Sequence, residues 1–397
     1  MARWFSKQKR SQGGTIFYDI NIRSRGLKRI KQILTHPIAF FSGAAVLGIG
    51  LIWLLVSLVS PAAEPEATPA LNRLGNVAGT VTAEVDTSFS PEVREIMLRV
   101  RKIGDPVISG DEALFAGGTD SAGNPKLRTV YHYDLINNVD STVTDIVLQN
   151  DDILNLAFND KYIVWADAKR SGSCIIRYLN RGTGAVRTVK ACPIATPKLR
   201  LEGDMLCWIE RTAAAQDKLY LYDLSTAESV TLAVFNDSAS GVSPPGLGGG
   251  EVAWAEDDRS GDQIGNSVIK TLDLGTGTVQ TYVTGMYVFG PLTNGGTVVW
   301  LDQNRGPNAS LYMLDQKQSV VCVASGGVTD YALGKNFVAY QKDDGLFAYF
   351  YKENRIVCIN AEGRKVILSG VYGDTVVWFD VSDDSITRDI VYYSSIE

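Results

Sequence analysis

Seven copies of one apolar motif, four strand-like runs in each copy, and one uncharged stretch near the N-terminus predict the fold class. It is an all-β, seven-bladed β-propeller of four-stranded antiparallel blades, preceded by one N-terminal transmembrane α-helix. The chain has 397 residues, 45% hydrophobic and 21% charged, which excludes a disordered or fibrous protein. Its 38 Lys and Arg against 44 Asp and Glu give a net charge of −6, but the sign is unevenly spread. Residues 1–37 hold nine basic side chains and one acid, Asp19, a net +8 that leaves −14 on the remainder.

Between these two parts, residues 37–63 carry no charge, and IAFFSGAAVLGIGLIWLLVSLVS (38–60) is long enough as a helix to cross a hydrocarbon core of about 30 Å. Lys and Arg resist translocation, so the basic side is expected in the cytoplasm and the remainder outside, a single-pass type II arrangement in the cell membrane. A cleaved secretory signal is the rival reading, with small residues at Ser60-Pro61-Ala62. The apolar run exceeds the usual ~7–15 residues of such a signal, and the basic region before it is extended, so an uncleaved anchor is expected. Just before the span, Leu27, Ile30, Ile33 and Leu34 share one helical face amid Arg25, Lys28, Arg29 and Lys31. Such a stripe lies on an anionic leaflet, which makes membrane lipid the expected partner of helix and tail; no nucleic-acid partner is expected.

The expected organisation is a basic cytoplasmic tail (1–37), the transmembrane helix (38–60), an extended linker (61–75) and an extracytoplasmic propeller (76–397) that includes a closing strand. The linker PAAEPEATPALNRLGN is too rich in Pro, Ala and Glu to bury a core. SPEVREIMLRVRKIG (90–104) reads as either a short helix or a strand.

From residue 104 the unit is a Gly-Asp or similar turn, an apolar run ending in an aromatic, a polar loop, and a second run ending near Asp-Leu. The aromatic anchors are Phe115, Trp165, Trp208, Trp254, Trp300, Tyr340 and Trp378, at intervals of 50, 43, 46, 46, 40 and 38 residues. The third unit shows the four runs clearly: PKLRLEGD, MLCWIE, KLYLYDL and SVTLAVF. A helical solenoid would need 3.6-residue periodicity, which these units lack. Each anchor is expected to face the next blade and fill the wedge between twisted sheets, where burying an aromatic stabilises by roughly 2–3 kcal/mol. The last unit stops at IVYYSSIE, one strand short, so a strand from residues 76–103 should complete the seventh blade; TVTAEV and IMLRVRKI are the candidates.

GDTVVWFD, NDKYIVWAD and LYLYDLSTAESVTL resemble the TolB-type propeller repeats of bacterial envelope and cell-surface proteins. The resemblance covers about residues 104–397 and implies the fold; such propellers are mostly binding or scaffold modules, and their shared residues are structural. Units one and six depart from the pattern, with Phe115 and Tyr340 as anchors and Gly117 and Lys342 where an acid is expected. Residues 61–103 are too few for the additional N-terminal α/β domain of TolB.

Little in the chain suggests catalysis. The only histidines are His36 and His132, and the latter sits within TVYHYDL with no GxSxG motif, so it reads as a hydrogen-bonded strand residue. Cys174, Cys192, Cys207, Cys322 and Cys358 lack CxxC spacing, and GLGGGE (246–251) lacks the Lys of a P-loop. No metal and no cofactor are expected, and EDDRSGD (256–262) and VSDDS (381–385) do not follow EF-hand order. Cys174 and Cys192 flank a hairpin whose turn lies near Arg181–Gly184, which sets them almost opposite one another. They are read either as buried thiols or as a cross-strand disulfide.

The most suggestive set is the acid two residues beyond the anchor: Asp167, Glu210, Glu256, Asp302 and Asp380. Arg170, Arg211, Arg259 and Arg305 follow in the same loops. Propeller topology carries these loops to one face, where they serve either as ion-paired staples or as a polar ring binding a cation, basic peptide or sugar at the channel mouth. Asp134, Asp223, Asp273 and Asp315 end third strands and read as turn residues. The expected function is a non-enzymatic, membrane-anchored scaffold that binds an envelope protein, peptide or glycan at a propeller face. The alternatives are a transmembrane sensor that relays ligand occupancy through the tail and, last, an envelope hydrolase using mouth carboxylates.

Overall fold

A computed structural model describes residues 15–17 and, apart from several short loop segments, 71–396. The expected membrane helix (38–60), the rest of the basic tail and the linker up to residue 70 lie outside the described residues.

Among the described residues, five short strands precede the repeats: Thr15–Phe17 (β1), Leu71–Arg73 (β2), Gly79–Thr80 (β3), Val85–Asp86 (β4) and Arg94–Ile96 (β5). Blade 1 comprises Val107–Ser109 (β6), Glu112–Thr119 (β7), Pro125–Asp134 (β8) and Val139–Thr142 (β9). Blade 2 comprises Asp152–Phe158 (β10), Tyr162–Ala168 (β11), Cys174–Asn180 (β12) and Ala185–Cys192 (β13). Blade 3 comprises Arg200–Glu202 (β14), Met205–Arg211 (β15), Gln216–Asp223 (β16) and Glu228–Asn236 (β17). Blade 4 comprises Gly246–Gly248 (β18), Glu251–Asp257 (β19), Ser267–Asp273 (β20) and Val279–Val283 (β21). Blade 5 comprises Phe289–Thr293 (β22), Val298–Leu301 (β23), Leu311–Leu314 (β24) and Val320–Ala324 (β25). Blade 6 comprises Val328–Leu333 (β26), Phe337–Lys342 (β27), Gly345–Phe350 (β28) and Arg355–Cys358 (β29). Blade 7 has Val366–Tyr372 (β30), Thr375–Asp380 (β31) and Ile390–Ser395 (β32), and takes β5 as its fourth strand. The first strand of every blade lies beside the first strand of the next, with β30 beside β6, so these seven strands wall a central channel.

Ring closure follows the expected logic. Arg94–Ile96 pairs antiparallel with β32, within the predicted 76–103 window, and of the IMLRVRKI candidate only Ile96 is in the strand. The TVTAEV stretch has a different place. Thr80 and Val85 belong to β3 and β4, which run parallel to the outermost strands of blades 5 and 6, as β2 does on blade 4. A continuous strap therefore girdles blades 4 to 6 before it closes blade 7, covering edge N–H and C=O groups that would otherwise be open. Side chains pin it as well: Arg355 approaches Asp86 at 3.7 Å and lies 5.7 Å from the Phe89 ring centroid. Lys102 Nζ donates to Asp389 at 2.8 Å, beside the Ile103 N–H at 3.0 Å. On blade 3, next to the blade where the strap begins, β1 pairs antiparallel with β17.

Seven buried clusters fill the seven seams, and each holds one anchor. Trp165 packs with Leu114 and Val130 of blade 1, and Trp208 with Val164 and Ile176 of blade 2. Phe115 closes the circle against Val377 and Val391 of blade 7. The anchors thus face the preceding blade, not the next one as expected; alternation along the second strand fixes which face it presents, and the sequence pattern alone does not reveal which neighbour lies there. In five blades the anchor stacks on its cross-strand partner, as Trp208 does on Tyr220 at 5.3 Å and Trp378 on Tyr392 at 6.1 Å. In blades 2 and 4 that partner is a cation, Arg177 opposite Trp165 and Lys270 opposite Trp254.

The GLGGGE run has a packing role. A methyl at Gly246 would lie 2.5 Å from the Pro291 carbonyl oxygen, and one at Gly248 would fall on the Thr293 carbonyl, so bare backbone lets the inner strands of blades 4 and 5 meet. Gly248→Ala should therefore cost about 1–3 kcal/mol in urea unfolding of the full chain, whereas Gly79→Ala, with open space around its Cα, should stay within about 0.5 kcal/mol.

Candidate binding site

The five acids beyond the anchors share the anchors' face of the sheet, two residues on, and so enter the seams between blades. Asp167, at 0% exposure, accepts the Gln149 and Asn150 N–H groups, both at 2.9 Å, and so ties β11 to the connection from blade 1. Arg177 stands 3.6 Å away. Glu210 is buried, with Lys190 of blade 2 at 3.3 Å; that ammonium also sits 4.2 Å from the Tyr220 ring centroid. Burial pulls the Lys190 pKa down, but Tyr220 and Glu210 outweigh it, and the net shift is upward. Glu256 accepts the Trp254 indole N–H at 2.7 Å and pairs with Lys270 at 2.9 Å, both side chains largely buried. Burial lowers the Lys270 pKa and Glu256 restores part of it. Asp302 is half-buried and accepts the Ser310 N–H at 2.8 Å, closing its own loop. Asp380, half-buried, ends β31 opposite Val366 and Ile390.

Asp167, Glu210 and Glu256 are buried, and Asp302 and Asp380 are half-buried. Ion pairing holds three of them, but the cations come from neighbouring strands instead of the loop arginines. Arg170 is exposed and offers its backbone N–H to Asp151 at 3.0 Å, and Arg211 pairs with Asp217 at 3.2 Å. Arg259 and Arg305 lie outside the described residues. The departures in units one and six have local causes. A side chain at Gly117 would meet Val100 of the closing segment at 2.9 Å, and Lys342 turns its ammonium to the Ser325 carbonyl at 3.0 Å.

The turn aspartates behave as read: Asp134, Asp223 and Asp273 each accept two backbone N–H groups just beyond their strand, and Asp315 accepts that of Ser319. His132 lies 2.9 Å from Glu112, whose carboxylate also takes a bidentate contact from Arg181 of blade 2 at 2.9 and 2.8 Å. Burial pushes Glu112 upward, yet Arg181 and His132 hold it below its ordinary value.

The channel wall carries the groups that pairing does not satisfy. Leu154, Asp330 and Ile367 each stand opposite the residue following an anchor, namely Ala166, Gln341 and Phe379, so they share one height in the lumen, and all three are exposed. Asp105 and Lys198, two residues ahead of Val107 and Arg200, reach the same height and are exposed. Charge is felt across this space: Lys198, Asp105 and Arg200 all act on Asp330. Although open to the lumen, Asp330 is surrounded by protein, and that desolvation raises its pKa against the Tyr331 N–H, which it accepts at 2.8 Å, and the pull of Lys198 and Arg200. Among the described residues Lys198, Asp105 and Asp330 form no ion pair within 4 Å. Arg200 spends only its Nε hydrogen, on the Pro245 carbonyl at 3.3 Å, and burial lowers its pKa. Tyr372 donates to the Pro106 carbonyl at 3.2 Å, and Tyr331 to the Phe289 carbonyl at 3.0 Å. This tier lies on first strands, away from the second-strand acids. Its sequence signal is a charge inside an otherwise apolar first strand, as in PKLRLEGD and VTDYAL. Among the described residues, no three His, Cys, Asp or Glu side chains gather as a metal-ligand set.

No protein-family model and no curated protein matches this sequence. Solved structures do match in fold. The chain is similar to the β-propeller domain of the Trilobed protease from Pyrococcus furiosus, which has an open velcro topology (TM-score 0.58, 11% identity, 75% of this chain and 97% of that one). It is also similar to oligogalacturonate lyase in complex with manganese (TM-score 0.51, 13% identity, 82% and 98%). TolB from Acinetobacter baumannii is a weaker match (TM-score 0.42, 13% identity, 72% and 65%). At such identities the likeness is one of fold: the protein is a seven-bladed β-propeller.

The seam reading predicts that Glu256→Gln, which removes the carboxylate paired with Lys270 in a dry seam, destabilises the full chain by about 3 kcal/mol. Arg170→Ala should stay within about 0.5 kcal/mol. Urea unfolding followed by tryptophan fluorescence measures both.

Proposed function

We propose that this protein is a non-enzymatic binding scaffold of the cell envelope, anchored by residues 38–60 with the propeller outside the membrane. The observation that carries the binding reading is the channel tier, where Asp105, Lys198, Arg200 and Asp330 form no ion pair among the described residues, beside the apolar Leu154 and Ile367. Groups of both signs next to apolar surface suit a segment of protein or a small ligand that brings both charge and apolar area. The buried seam acids are taken up by structure, which moves the proposed site from the loop rim to the lumen.

The anchoring reading rests on the +8 tail, the uncharged stretch and the −14 remainder. It has a structural consequence at blade 3. With the tail in the cytoplasm, Thr15–Phe17 is separated from β17 by the bilayer, so the pairing of β1 with β17 and the anchored arrangement exclude one another.

The strap favours a second reading, the sensor. From Leu71 onward the chain is hydrogen-bonded to blades 4 to 7 before it enters blade 1, so a change in the ring reaches the segment nearest the stem directly.

Crosslinking on intact cells with a membrane-impermeant reagent tests the main reading. Wild type is expected to capture a specific envelope partner, and Arg200→Ala and Asp330→Asn to lose most of it with melting temperature unchanged. Capture that survives both substitutions overturns the lumen site. Labelling of the propeller only by membrane-permeant reagents overturns the topology.

A further inference from the structure

Blade 2 ends in an outer strand, β13, that takes no added partner among the described residues. Blades 4, 5 and 6 each carry an added parallel strand from the strap; among the described residues β9 of blade 1 and β13 of blade 2 have none. Yet the β12–β13 hairpin reaches into both adjoining seams. Arg181 in its turn grips Glu112 of blade 1, and Lys190 on β13 approaches Glu210 of blade 3. Arg177 on β12 stands beside Asp167. A hairpin with this much resting on its placement has an unprotected edge strand.

At the open end of that hairpin, Cys174 and Cys192 are direct register partners. Opposed residues of an antiparallel pair have Cα atoms about 4.5–5.5 Å apart, inside the span of about 4.4–6.8 Å that a disulfide bridges. Both are thiols in this structure, buried at 3% and 0% exposure. The two thiols act on one another, which lowers the pKa of Cys174 and, with burial, raises that of Cys192. Cys207, Cys322 and Cys358 have no such register partner.

We infer that Cys174 and Cys192 are a disulfide-forming pair, a covalent staple that holds the edge of blade 2 where the strap does not reach. The inference rests on the extracytoplasmic placement proposed above, since a reducing cytoplasm would keep both as thiols. The oxidant is a protein disulfide of an envelope thiol oxidoreductase. The Cys174 thiolate attacks one of its sulfurs, breaking the oxidant's S–S bond and giving a mixed disulfide. The Cys192 thiolate then displaces the second oxidant sulfur, so the Cys174–Cys192 bond forms, two protons leave the pair, and the oxidant departs as a dithiol. Exchange takes place while the hairpin is still open during folding, because the finished blade buries both sulfurs.

The test uses the full chain, precipitated from cells with acid, unfolded in detergent containing N-ethylmaleimide so that buried thiols are reached, and digested with trypsin without reduction. The expected product joins the tryptic peptides spanning residues 171–177 and 191–198, with maleimide on Cys207, Cys322 and Cys358. Reduction should lower the melting temperature of the native full chain by roughly 5 °C. Maleimide on both Cys174 and Cys192 overturns the disulfide. A parallel refolding of the same chain in a glutathione redox buffer separates the two causes of that failure. If the pair joins there but not in cells, the placement outside the membrane has failed; if it joins in neither, the strand geometry has failed and the topology still stands on its labelling result.

Discussion

The whole ring depends on three residues that come from before the repeats. Arg94–Ile96 pairs with β32 and supplies the outermost strand of blade 7, so the last repeat and the first are joined by hydrogen bonds made across nearly the full length of the chain. The same segment brings Ile96 and Leu98 into the seam where Phe115 meets Val377 and Val391. Closure and packing of that seam are therefore one event. In an open array the terminal blades would each expose an apolar face, whereas here all seven seams are filled alike.

Charge in this protein is sorted by where a strand position points. On second strands the residue two beyond the anchor shares the anchor's face, so a carboxylate there is carried into a dry seam and has to be met by backbone N–H groups or a cation. Asp167 is met by Gln149, Asn150 and Arg177, and Glu256 by Trp254 and Lys270. On first strands the outward positions face the lumen, where water substitutes for a protein partner and a charge can stay uncommitted. That difference of address, more than any difference in residue type, separates a structural acid such as Glu256 from a candidate ligand-contacting acid such as Asp330.

The repeat, the blade number and the need for a closing strand were legible in the sequence because each follows from periodicity. Anchors recur at 38–50 residue intervals, and a unit one strand short has to borrow its edge. The turn aspartates were legible for a similar reason, since the Asp-x-x hydrogen bond is local. Long-range placement was not. Whether Trp208 packs forward or backward depends on how sheets are ordered around the axis, and the partner of Glu210 is Lys190, 20 residues away in another blade. The strap was hidden for a different reason: β3 and β4 are two-residue contacts on outer edges, too short to produce a hydrophobic period. Gly117 looked like an irregularity and is instead the place where Val100 of the closing segment needs room.

Native-state hydrogen exchange of the full chain, resolved blade by blade, tests the closed circle most directly. If the ring is joined by Arg94–Ile96, amides of β31 and β7 on either side of the closure should exchange with the same opening free energy as those of β15 and β19 across the ring, because no blade can leave alone. Markedly faster exchange confined to blades 7 and 1, falling off toward blades 3 and 4, would reveal an arc with free ends and contradict the account.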